Sequence, residues 1–170
     1  ADADAWEALK DAVAANRGNI NITSDVIVAE DITIGSGTAL ILPEGSTSTL
    51  TIPDGVTLTL DGYIPLYGGG IVVQSGGKLV VNGYVLASAG TFTVEAGGTL
   101  QNNNHFDLSG SASVTLAAST YVAGAKAIFV FDDSSGASIS SDDVSFVSYN
   151  SNVADSSGLL SALGAGSLGY

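Results

Sequence analysis

The chain has 170 residues, 45% of them hydrophobic and only 12% charged, with 22 glycines. That is enough apolar material for one buried core, and the Gly-rich, charge-poor mixture suits short strands and tight turns better than a helical bundle. Seventeen Asp and Glu against four Lys and Arg give a net charge of -13, a field that repels phosphate backbones and excludes nucleic acid as an expected partner.

In chain order, residues 6–17 read as a helix: Trp6, Leu9 and Val13 recur at helical spacing, Ala fills the gaps, and Gly18 stands at the expected stop. Asp4 and Glu7 near its start and Arg17 at its end complement the helix dipole. After Gly18 the period becomes two, in Ile20-x-Ile22, Val26-x-Val28, Ile32-x-Ile34 and Leu40-x-Leu42, which predicts strands of three to five residues.

From Leu50 to Leu108 the chain matches itself at a shift of 21 residues. Leu50-x-Ile52 aligns with Ile71-x-Val73 and Phe92-x-Val94, and Leu58-x-Leu60 with Leu79-x-Val81 and Leu100-x-Asn102. Ile64-x-Leu66 aligns in the same way with Val85-x-Ala87 and Phe106-x-Leu108. Gly55, Gly76 and Gly97 share one corner; Asp61-Gly62, Asn82-Gly83 and Asn103-Asn104 share a second, and left-handed backbone is expected at both. Upstream, Ile34-Gly35-Ser36-Gly37 followed by Leu40 repeats the first corner at a shift of 18. Downstream, Val114-x-Leu116, Ile128-x-Val130 and Val144-x-Phe146 continue the strands in looser register.

Three strands per 21 residues is the coil of a parallel β-helix, a β-solenoid of about six coils in which equivalent side chains stack about 4.8 Å apart. Right-handed winding is expected from the rule for parallel crossovers. The chain is expected to be a single domain: an N-terminal capping helix (1–18), coils (19–150) and an apolar tail (151–170). The chain contains no Cys and no Met, and it opens Ala1-Asp2-Ala3-Asp4-Ala5, as a signal-peptidase product would. A secreted, extracellular or cell-surface location is therefore expected, and no stretch is apolar enough for a helical membrane span.

The run Trp6-Glu7-Ala8-Leu9-Lys10-Asp11-Ala12-Val13, then Ile20-Asn21-Ile22-Thr23-Ser24-Asp25-Val26, Ile32-Thr33-Ile34 and Leu40-Ile41-Leu42, resembles the opening of pectate-lyase-like right-handed parallel β-helix domains of bacterial surface proteins and adhesins. The resemblance implies a helix that covers the first coil, and it speaks to fold more than to function.

Catalytic chemistry finds little material. A uronate lyase needs converging basic groups, yet Lys10 and Arg17 belong to the cap, and Lys78 and Lys126 to different coils. A glycosidase needs paired carboxylates, and in the regular coils Asp54, Asp61 and Asp107 each stack on non-acidic neighbours. Asp132-Asp133 with Asp142-Asp143 are the candidates for a weak calcium site, without calcium-loop spacing. The single histidine, His105, rules out a multi-histidine metal site. Its ladder with Tyr63 and Tyr84 is a structural stack or a surface on which glycan rings could lie.

Thr49-x-Thr51, Thr57-x-Thr59 and Thr91-x-Thr93 form hydroxyl ranks broken at Gly70, Val72, Lys78 and Val80. Subunit contacts are expected at Trp6, Leu159, Leu160, Leu163, Leu168 and Tyr170, because an open solenoid end needs a cover or a partner and residues 158–170 carry no charge. Ile41, Val72, Val80 and Leu86, outward by alternation, suggest lateral contacts. The expected function is a non-catalytic extracellular structural protein, a self-associating subunit of a filament or matrix, with no catalytic residue and no cofactor. An adhesin or glycan-binding module is the alternative, and a carbohydrate-active β-helix enzyme the second.

Overall fold

The structure, a computed structural model, describes residues 2–124, 126–131, 136–141, 144–148 and 168–169. Helix α1 (Asp2–Ala14) precedes β1 (Asn19–Asn21), β2 (Val26–Ile27), β3 (Ile32–Ile34), β4 (Ala39–Ile41), β5 (Thr49–Ile52), β6 (Thr57–Leu60) and β7 (Tyr63–Leu66). The coils continue with β8 (Gly70–Val73), β9 (Lys78–Val81), β10 (Tyr84–Ala87), β11 (Thr91–Val94), β12 (Thr99–Asn102) and β13 (His105–Leu108). Last come β14 (Ser113–Leu116), β15 (Thr120–Ala123), β16 (Ile128–Phe131), β17 (Ser138–Ser141), β18 (Ser145–Ser148) and β19 (Leu168–Gly169).

Every third strand joins the same sheet. Sheet A is β1-β4-β7-β10-β13-β16, sheet B is β2-β5-β8-β11-β14-β17, and sheet C is β3-β6-β9-β12-β15-β18-β19. All pairings are parallel, so the chain is a β-solenoid of about six coils, as the 21-residue repeat predicts.

Parallel registry puts like on like. Leu58, Leu79 and Leu100 occupy one inward column of sheet C with no exposed surface. Leu50, Ile71 and Phe92 do the same in sheet B, and Ile64, Val85 and Phe106 in sheet A. Each such side chain contributes about 1.5–3 kcal/mol by leaving water, and the strand pattern of alternate burial reflects the period of two. Trp6 and Leu9 of α1 close the first coil, 5% and 3% exposed.

The helix starts and ends earlier than its apolar stripe suggests. Asn16, with φ of 56°, takes the left-handed position expected of Gly18. Its N–H donates to the Val13 carbonyl at 3.0 Å, and the Arg17 N–H donates to Ala12 at 3.3 Å. These are the paired bonds of a Schellman stop, for which Asn is the usual substitute for Gly.

The two corners differ physically. Gly55, Gly76 and Gly97 have φ near 80°, as expected for the first corner. Gly62 and Gly83 have no such φ; they are required because a Cβ on Gly83 would lie 2.0 Å from the Gly62 carbonyl oxygen, and one on Gly62 2.2 Å from that of Thr38. Close approach of stacked backbones, not handedness, selects glycine there.

Two registers also differ from the sequence reading. Ile34 pairs with Leu60 and Ala39 with Tyr63, so Ile34-Gly35-Ser36-Gly37 matches the second corner rather than repeating the first at a shift of 18. The early partners lie 24 to 26 residues apart because residues 43–48 lengthen that coil. Here the Asp25 and Asp31 carboxylates accept the Thr49 and Thr57 N–H groups, at 2.9 and 2.8 Å, in place of backbone carbonyls. In β16 the phase is reversed: Phe129 is buried and Ile128 is 39% exposed. Phe129 lies opposite Phe106, their rings stacked at 4.8 Å.

Candidate functional site

In the four-residue strands β5–β17 alternation sends the first and third members to the outer side, although Pro65 and Gly70 are themselves buried, and the three outer faces differ in chemistry. Sheet B presents Thr49 and Thr51, Gly70 and Val72, Thr91 and Thr93, Ser113 and Thr115. Sheet C presents Thr57 and Thr59, Lys78 and Val80, Thr99 and Gln101. The Thr pairs noted in the sequence thus fall on two faces, and β8 and β9 interrupt them. Over Gly68–Gly70, between Thr49 and Thr91, sheet B has an open hollow of about 500 Å³; another of about 700 Å³ lies between α1 and the β1–β2 edge.

Sheet A is the most apolar face beyond β1, whose Asn19 and Asn21 are polar and exposed. One row runs Ala39, Tyr63, Tyr84, His105, Ile128; the next runs Pro65, Leu86, Asp107, Val130, with Ile41 beside Pro65. The sequence-predicted ladder of Tyr63, Tyr84 and His105 is therefore brought together. Tyr84 and His105 stack at 4.6 Å with their planes 7° apart, while Tyr63 stands 76° from Tyr84 at 5.4 Å. Spacing set by the sheet makes Tyr84 and His105 each cover one face of the other.

Asp107, expected to be isolated, is the polar centre of this face. It accepts the Tyr84 hydroxyl on Oδ2 and lies 2.6 Å from His105 Nε2 through Oδ1. Two signals were available: His105-x-Asp107 lie on one side of a strand, and Tyr84 is diagonal to Asp107 across the pair. Tyr84 is pushed up to about 12, first by burial and then by the Asp107 carboxylate it donates to. Tyr63 is raised too, first by burial and then by a hydrogen bond to Tyr67, a neighbour the sequence reading passed over.

Charge avoids the faces. Asp25, Glu30, Asp31, Glu44, Asp54, Asp61 and Glu95 are exposed outside the strands; among the described strand residues with described side chains, only Lys78 and Asp107 are Asp, Glu, Lys or Arg. At the second corner the acid begins an amide ladder: Asn82 Nδ2 donates to Asp61 at 3.0 Å and Asn103 Nδ2 to Asn82 at 2.8 Å.

Of the expected subunit contacts, Trp6 is taken by the chain's own first coil, and Leu168 belongs to β19, which pairs with β18 through Phe146 and Leu168. Leu159, Leu160, Leu163 and Tyr170 lie outside the described residues, as do the calcium candidates Asp132, Asp133, Asp142 and Asp143. Among the described residues no three His, Cys, Asp or Glu gather as metal ligands, and no helix is long and apolar enough to cross a membrane. Comparison with family models, curated proteins and solved structures finds no match.

Proposed function

We propose that this chain is a non-catalytic structural module of an extracellular or cell-surface assembly, a subunit that associates with copies of itself. The observation that carries this reading is the contrast between the rod's edges and faces: acidic side chains line the corners, while the faces carry hydroxyls or apolar groups and almost no charge. Such a rod presents regular, low-charge planes along its length, which suits lateral contact more than turnover. The resemblance of its opening to pectate-lyase-like domains of surface proteins and adhesins supports the same setting.

A glycan-binding module is the alternative, and the Tyr63–Tyr84–His105 ladder is its basis. It has weaker support, because Tyr84 and His105 each cover one face of the other and the Asp107 carboxylate already accepts a hydroxyl. Negative-stain imaging of the purified chain tests the main reading. Filaments or sheets at high concentration are expected; a persistently monodisperse sample would count decisively against it.

A further inference from the structure

We propose that Tyr84 and Tyr63 form an oxidation site, at which a one-electron oxidant joins the two rings covalently and so staples neighbouring coils. This goes beyond the structural reading and does not depend on it.

A phenol gives up an electron readily only when its proton leaves too, so a base held against the hydroxyl marks the ring that reacts. Tyr84 has that base in place: its hydroxyl donates to Asp107 Oδ2. Asp107 is itself held from the other side, its Oδ1 2.6 Å from His105 Nε2. The imidazole lies on the Tyr84 ring at 4.6 Å, 7° from parallel, a stack that fixes the direction of the phenol. Burial and the Asp107 bond push Tyr84 up to about 12, so at neutral pH the proton is still there and departs with the electron.

The second ring is one rung away. Tyr63 pairs with Tyr84 in the same row and stands edge-on to it, 5.4 Å between centroids and 76° between planes, which sets an edge of one ring against the other. Tyr63 and Tyr84 are only partly buried, so a small oxidant reaches them from the surface. The oxidisable rings of the core are shielded instead, Tyr121 at 1% exposed and Trp6 at 5%.

Each ring loses one electron to the oxidant together with its phenol proton, from Tyr84 to Asp107 and on to water, and from Tyr63 to water. The two radicals join through a bond between the ring carbons beside their hydroxyls, Cε to Cε. The hydrogens on those carbons then move to the phenol oxygens. The sum is two electrons and two protons lost, leaving a biphenol that ties β7 to β10.

The test oxidises the dilute full chain with photogenerated tris(bipyridyl)ruthenium(III), persulfate serving as the final electron acceptor. Biphenol fluorescence gives the rate, and mass spectrometry of proteolytic fragments gives the residues joined. A Tyr63–Tyr84 link is expected to dominate in the folded chain and to lose that dominance in urea. Tyr84→Phe is expected to abolish it. Asp107→Asn keeps an acceptor for the hydroxyl but not a base, and is expected to slow the link at least about fivefold, with Asp107→Glu restoring most of the rate. Circular dichroism shows whether each variant is folded; if one is not, folded against unfolded wild type still decides the site. Links confined to Tyr67, Tyr149 or Tyr170, or found only between molecules, would overturn the site. An unchanged rate in folded Asp107→Asn would overturn the carboxylate's part as proton acceptor.

Discussion

Asn102 is fully buried between Val81 and Ala123, in the column that also holds Ile34 and Leu60. Its Nδ2 donates to the Tyr121 hydroxyl at 3.2 Å and the Ile128 carbonyl at 3.1 Å, and its Oδ1 accepts the Asn104 N–H at 3.2 Å. A polar group survives in this core because every bond it needs is made. Asn102→Ala removes all three and opens a cavity, so it is expected to cost about 2–4 kcal/mol. Tyr121→Phe, which leaves the other two bonds intact, is expected to cost about 1 kcal/mol. Urea unfolding measures both, and equal costs would show that the bonds to Ile128 and Asn104 add nothing beyond the one to Tyr121. Burial also raises the Tyr121 phenol, with the Asn102 bond opposing. Tyr84 offers a pH test. Its value of about 12 lies above the ordinary 10.0, so its contribution to stability is complete below pH 10 and lost as pH rises through about 12. Asp107→Asn is expected to bring Tyr84 ionisation to lower pH, though not to the ordinary value, since burial is the larger cause. Tyrosinate absorption, with Tyr84→Phe identifying the step, would refute this if the step did not move.

At the scale of the element, the corners are where backbone chemistry is most constrained, and they are constrained in two ways. Gly45 has φ of 78° and open space around an added Cβ, whereas Gly83 lacks a positive φ and has a carbonyl oxygen 2.0 Å from where that Cβ would sit. Gly45→Ala is expected to cost about 1–2 kcal/mol through conformation alone. Gly83→Ala must force neighbouring rungs apart and is expected to cost more than about 3 kcal/mol; comparable melting temperatures for the two would contradict the distinction. Sequence letters hide it, since Gly appears at both corners for different reasons. The same limit explains other misreadings. Ile128-Phe129-Val130-Phe131 is apolar at every position, so alternation cannot phase it, and only the stacking of Phe129 on Phe106 does. Ile34-Gly35-Ser36-Gly37 fits either corner by composition, and the longer loop at 43–48 becomes visible only once Ile34 is seen beside Leu60.

For the whole molecule, the repeat was legible because solenoid stacking demands that inward residues recur in register, so Leu58, Leu79 and Leu100 announce their contact as a 21-residue period. The candidate site was less legible, because its contacts run diagonally between strands or skip one residue within a strand. Tyr63, Tyr84 and His105 were readable as a ladder; Asp107 at its centre was read as isolated, although its offset from His105 and its diagonal to Tyr84 pointed to both contacts. The hydrogen bonds between coils point along the rod, so tension applied at its two ends meets them one rung at a time rather than all together. Each released coil of 21 residues frees roughly 70 Å of slack. Pulled lengthwise, the protein would yield as a staircase of similar small steps, a tether that lengthens under load before it lets go.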